Sequence, residues 1–98
     1  MSELTEYDVY LPPTDQDALA RARREIVDFF GGLTDTRHAQ EGVWRAGGAE
    51  IEDEIVVWRV LSDRGAEGDR FMREMRARLE RELAQEQILV IRRRVEVL

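Results

Sequence analysis

The order of apolar patterns along these 98 residues predicts an α+β sandwich, in which two helices cover one face of a four-stranded antiparallel sheet. Four stretches alternate or run apolar at strand length, two repeat at helical spacing, and glycine or proline marks most of the joints. The resulting sequence is strand, helix, strand, strand, helix, strand, which is the ferredoxin-like split βαβ arrangement.

The first strand is "EYDVYL", where Tyr7, Val9 and Leu11 alternate with Asp8 and Tyr10 until Pro12 and Pro13 end it. The first helix is "TDQDALARARREIVDFF". Thr14 or Asp15 is its N-cap, its first turn is acidic, and Leu19, Ala22, Ile26, Phe29 and Phe30 form its apolar stripe. Gly31 and Gly32 stop it. A polar loop is expected from Leu33 to Glu41, then a short strand "GVWRA", a Gly47-Gly48 turn and a longer strand "AEIEDEIVVWRVL". After the loop "DRGAEGD", the second helix "DRFMREMRARLERELAQE" places Phe71, Met72, Met75, Leu79 and Leu83 on one side. Asp69/Arg73, Arg70/Glu74, Glu74/Arg78 and Arg76/Glu80 stand four apart on its wet faces. "QILVIRRRVEVL" is the last strand. Right-handed crossovers put the first and third strands at the centre of the sheet and the second and fourth at its edges.

Length and a 43% apolar content suit a single domain, residues 1–98, with a thin core. No apolar run is long enough for a membrane span or a signal-peptide core, so a soluble cytoplasmic protein without membrane contact is expected. Cysteine is absent and there is one histidine, which removes thiol chemistry and Cys- or His-based metal sites. All 15 basic residues are arginine, so neither a Schiff-base lysine nor a Walker-type phosphate loop exists; no cofactor and no metal are expected. A net charge of −6 opposes general attraction to nucleic acid.

A sheet with one face in water should alternate cleanly. The third strand does not, because Ile55, Val57 and Leu61 oppose Val56, Trp58 and Val60. In the last strand Leu89, Ile91, Val95 and Val97 oppose Ile88 and Val90. The expectation is an open face carrying Trp58, Val56, Val60 and Tyr10, larger than a monomer leaves bare, which pairs with further copies of the chain or encloses a small molecule.

Candidate site residues are few. His38, in a polar loop near Asp35, Arg37 and Glu41, is either a general base or a solvated loop residue. Trp44 and Trp58 anchor an interface or pack in the core. Glu50, Glu52 and Glu54 share one face, where they form a hard-cation site or a hairpin end paired with Arg45, Arg92 or Arg94. Arg92 and Arg94 are expected together on the open face, binding a small anion or guarding an edge strand. Backbone demands account for the glycines of "GGLTDTRHAQEGVWRAGG" and leave Thr34, His38, Glu41 and Trp44 unexplained.

The string "FGGLT....GVWR..G...EDE", followed by "QEQILVI", resembles a family of short bacterial proteins known only as a domain of unknown function. The matching positions are Gly32, Leu33, Thr34, Gly42, Trp44, Glu54, Gln85 and Glu86, within about residues 29–91; Gln87 stands where the family has serine. The resemblance implies a ferredoxin-like fold and no particular reaction.

Two functional expectations follow. In the first, the chain is a noncatalytic homo-oligomer joined through its sheet face, with a regulatory or scaffold role and a small anionic ligand held by Thr34, Glu41, Trp44, Trp58, Arg92 and Arg94. The alternative is a small cofactor-free enzyme of proton transfer or isomerisation, with His38 as base and Tyr10 and Glu54 as its partners.

Overall fold

The computed structural model describes the backbone of residues 2–46 and 49–98, and the side chains of residues 2–36 and 55–98. The elements are β1 (Ser2–Leu11), α1 (Gln16–Phe30), β2 (Thr34–Ala46), β3 (Ala49–Ser62), α2 (Ala66–Glu82) and β4 (Leu89–Val97). The strands form one antiparallel sheet in the order β2-β3-β1-β4. This is the ferredoxin-like arrangement expected, with β1 and β3 central.

Local contacts set both ends of α1 and the end of α2. Asp15 accepts the Ala18 N–H at 3.1 Å as the N-cap of α1, and Gly31 at φ +91° closes the helix by donating to the Val27 carbonyl at 2.8 Å. The α2 helix stops at Glu82, short of the expected Glu86, because Ala84 turns to φ +52° and Glu80 Oε2 accepts the Ile88 N–H at 2.9 Å across the bend. Buried Ala18, Leu19, Ala22 and Ile26 on α1 and Met72, Met75 and Leu79 on α2 lie over the sheet. Burying a large apolar side chain contributes about 1.5–3 kcal/mol, so Leu19, Ile26, Met72, Met75 and Leu79 each stabilise the fold on that order.

Two strands are longer than their patterns predict. β1 starts at Ser2 rather than Glu6, since Ser2 to Tyr10 pair continuously with β4. β2 starts at Thr34, so the loop expected from Leu33 to Glu41 is strand. Its polar residues conceal it, and its register slips between Thr36 and Gln40. At that irregularity Thr36 Oγ1 donates to the Val57 carbonyl at 2.7 Å and accepts the Val57 N–H at 3.1 Å, standing in for a ladder partner.

The assignment of faces is the main correction. Val9 lies opposite Trp58, Tyr7 opposite Val60 and Leu11 opposite Val56, and these residues belong to the cluster beneath the helices. Trp58 is 2% exposed. The tryptophan, Val56 and Val60 are therefore core, not open face, and Tyr10 points the other way from Trp58. Both sheet faces do carry apolar side chains. Of the four residues expected on the open face, Tyr10 lies there and Trp58, Val56 and Val60 do not.

Candidate functional site

Strand register builds the open face row by row. Leu89, Tyr10, Val57 and Thr36 cross the sheet in one line; Ile91, Asp8, Arg59 and Thr34 form the next; Arg93, Glu6 and Leu61 follow, then Val95 and Leu4. Leu61 and Leu89 are 49% and 46% exposed on this face.

At the middle of this face lies a closed ionic cluster. Arg59 Nε reaches Asp8 Oδ1 at 3.1 Å and Glu6 Oε1 at 3.3 Å, while Arg93 Nε reaches Glu6 Oε2 at 3.0 Å and Arg93 Nη2 reaches Asp8 Oδ2 at 2.8 Å. Two carboxylates thus alternate with two guanidiniums, so the cluster has no net charge. Asp8 is only 2% exposed although it faces away from the helices, because both arginine side chains lie across it. Hydrogen bonding to Asp8 holds the Arg59 guanidinium still further above its ordinary pKa. A strip of apolar residues around a neutralised centre can be covered without leaving a lone charge.

The helix side of the β4 edge is built differently. Arg92 lies opposite Tyr7 and Arg94 opposite Thr5, so both arginines share the helix face, and Arg93 alone of the three faces the open side. This corrects the expected pairing of Arg92 and Arg94 on the open face; one register step decides it. Arg92 and the Tyr7 hydroxyl grip one carboxylate: Tyr7 Oη donates to Asp69 Oδ1 at 2.6 Å, and Arg92 Nη1 donates to Asp69 Oδ2. The Tyr7 hydrogen bond holds the Asp69 carboxyl below its ordinary range. Burial, reinforced by Asp69, pushes the Tyr7 phenol well above its own. Arg94 is exposed and approaches Glu3 at 3.8 Å. Among the described residues Arg92 pairs with Asp69 and Arg94 with Glu3, while the side chains of Glu50, Glu52 and Glu54 lie outside the described residues.

The other candidates scatter. Thr34 is exposed at the start of β2, in register with Arg59. Tyr10 is half-buried on the open face. His38, Glu41, Trp44 and Glu54 lie outside the described side chains; in backbone register Glu41 stands opposite Glu54 and Trp44 opposite Ile51. Among the described residues no cluster of three His, Asp or Glu side chains could hold a metal ion, and no helix is long and apolar enough to cross a membrane. Glu6, Asp8, Arg59, Arg93, Tyr7 and Asp69 are not among the site residues that the sequence predicts. The available signal was Glu6 and Asp8 two apart on a central strand, a spacing that puts both acids on one face.

Neither a protein-family model nor a curated protein matches the chain. Solved structures match its fold. A phage SAM lyase in complex with S-methyl-5′-thioadenosine is 14% identical, with a TM-score of 0.68 over 92% of this chain and 80% of the other. CutA1 from Oryza sativa is 13% identical, with a TM-score of 0.67 over 98% and 82%. CPII, a nitrogen regulatory PII-like protein from Thiomonas intermedia K12 bound to ADP, AMP and bicarbonate, is 10% identical, with a TM-score of 0.59 over 99% and 97%. At such identities the likeness establishes the ferredoxin-like fold.

Proposed function

We propose that this chain is a noncatalytic, homo-oligomeric regulatory or scaffold protein, assembled through the open face of its sheet and responsive to a small anionic ligand. The observation that carries it is the open face itself. Half-exposed Leu61 and Leu89, with Tyr10, Ile91 and Val95, surround an internally neutralised Glu6/Asp8/Arg59/Arg93 cluster. Apolar area of that kind is stabilised by association, and a second copy of the same face meets it without charge repulsion. The fold likeness to the PII-like regulator bound to ADP, AMP and bicarbonate supports a ligand-responsive role. Sedimentation velocity at micromolar concentration tests assembly. A defined oligomer is expected, and Leu61→Glu combined with Leu89→Glu should convert it to monomer with its secondary structure intact. A wild-type protein that sediments as a monomer overturns the reading.

The fold likeness to the SAM lyase favours one other reading, a small cofactor-free enzyme in which His38 acts as base. Incubation with S-adenosylmethionine, with release of S-methyl-5′-thioadenosine as the readout, tests it. Turnover that is lost in His38→Ala supports the enzyme, and no turnover by the wild type rejects this lyase form of it.

A further inference from the structure

Between α2 and β4, on the helix side of the sheet, lies a cleft of about 260 Å3. Arg73, Arg76 and Arg92 line it together with Asp69, and Met72 and Val90 supply its apolar wall. The helix code offers each of the two α2 arginines an acid four residues away, Asp69 for Arg73 and Glu80 for Arg76. Both acids are engaged elsewhere. Asp69 is taken by the Tyr7 hydroxyl and Arg92, and Glu80 accepts the Ile88 N–H at 2.9 Å. Among the described residues, no carboxylate lies within ion-pair distance of Arg73 or Arg76.

The cleft therefore holds three guanidiniums against one carboxylate that is already doubly bonded. Arg73 and Arg76 sit one turn apart on one helix face, with Arg92 across from them on the strand. We infer that this cleft binds a small organic phosphate monoester, its dianionic head between Arg73, Arg76 and Arg92 and its carbon body against Met72 and Val90. Guanidinium forks match phosphate oxygens in pairs, and the excess positive charge suits a dianion better than a single carboxylate. The volume lies just below the usual range of ligand pockets, which fits a small metabolite rather than a polymer. Asp69, pinned from two sides, holds Arg92 at the cleft in place of leaving it to wander in solvent.

This inference deepens the ligand half of the proposed function and rests on it; it does not require assembly, so sedimentation of the same samples separates the two. Calorimetric titration of the whole chain at pH 8 with phenyl phosphate is the test, with inorganic phosphate and benzoate as comparison probes. Phenyl phosphate is expected to bind most tightly, inorganic phosphate more weakly for want of the apolar contact, and benzoate weakest. Arg73→Gln and Arg76→Gln, both at exposed positions, should each weaken phenyl phosphate roughly tenfold without lowering the melting temperature. Added salt should weaken binding as well. Undetectable phenyl phosphate binding at millimolar concentration overturns the site, as does affinity unchanged in both variants. Inorganic phosphate or benzoate binding as tightly as phenyl phosphate overturns the assignment to a phosphate monoester.

Discussion

Tyr7 joins the sheet to α2 through one proton, and its titration has a determined sign. In the folded chain the phenol is held well above its ordinary pKa by burial and by Asp69. In the unfolded chain it ionises near pH 10. Below that pH both states are protonated and the contribution is complete. Above it only the unfolded state loses the proton, so stability falls as pH rises toward the folded value. Denaturant titrations across the alkaline range should show this decline in the wild type, and a shallower one in Tyr7→Phe. Trp58 presents the opposite case, because its indole Nε1 is buried and finds no hydrogen-bond partner among the described residues. Trp58→Phe keeps most of the ring packing and removes the orphaned donor. It should cost less than about 1 kcal/mol, against about 3–5 kcal/mol for Trp58→Ala, in chemical denaturation.

At the scale of elements, α2 docks where a single glycine permits it. A Cβ at Gly68 would lie 2.9 Å from Tyr7 Oη and 3.3 Å from both the Phe30 ring and Ser62 Oγ. Alanine favours helix over glycine by about 1 kcal/mol, yet here Gly68→Ala should destabilise by about 1–2 kcal/mol, since contacts with three elements, β1, α1 and β3, must shift. Tyr7→Phe should recover part of that loss in the double variant, measured by urea unfolding, because the nearest clashing atom is gone. Close by, Phe71 of α2 stacks on Phe29 at 4.5 Å between centroids and meets Phe30 edge-on at 5.3 Å, clasping the end of α1. Periodicity marked all three phenylalanines as helix residues on apolar stripes. That they meet one another follows from how the helices cross the sheet, which no local pattern encodes.

For the whole molecule, the proposed association through the open face would link stability to concentration. If the folded chain assembles and the unfolded chain does not, the melting temperature should climb with protein concentration. Scanning calorimetry over a hundredfold range should show that climb in the wild type, and a flat response in the Leu61→Glu, Leu89→Glu variant. The cluster beneath those leucines spans three strands, with Glu6 and Asp8 from β1, Arg59 from β3 and Arg93 from β4. It forms only once β1, β3 and β4 have paired.

Read without coordinates, the chain determined its own elements and their order. Tyr7, Val9 and Leu11 repeat every second residue, Met72, Met75 and Leu79 repeat by turns of helix, and Asp15 and Gly31 close α1 by rules that act within a few residues. It also determined that apolar side chains would occupy both sides of the sheet. Which side each one took was decided by tertiary structure, as was the meeting of Asp69, Tyr7 and Arg92 from three elements. Period two states that neighbours on a strand point opposite ways without naming the way that faces the helices. The β2 segment through Thr34 and Thr36 was hidden for a related reason, since an edge strand with polar residues is stabilised by the backbone of its partner, Val57 included, and not by a pattern of its own.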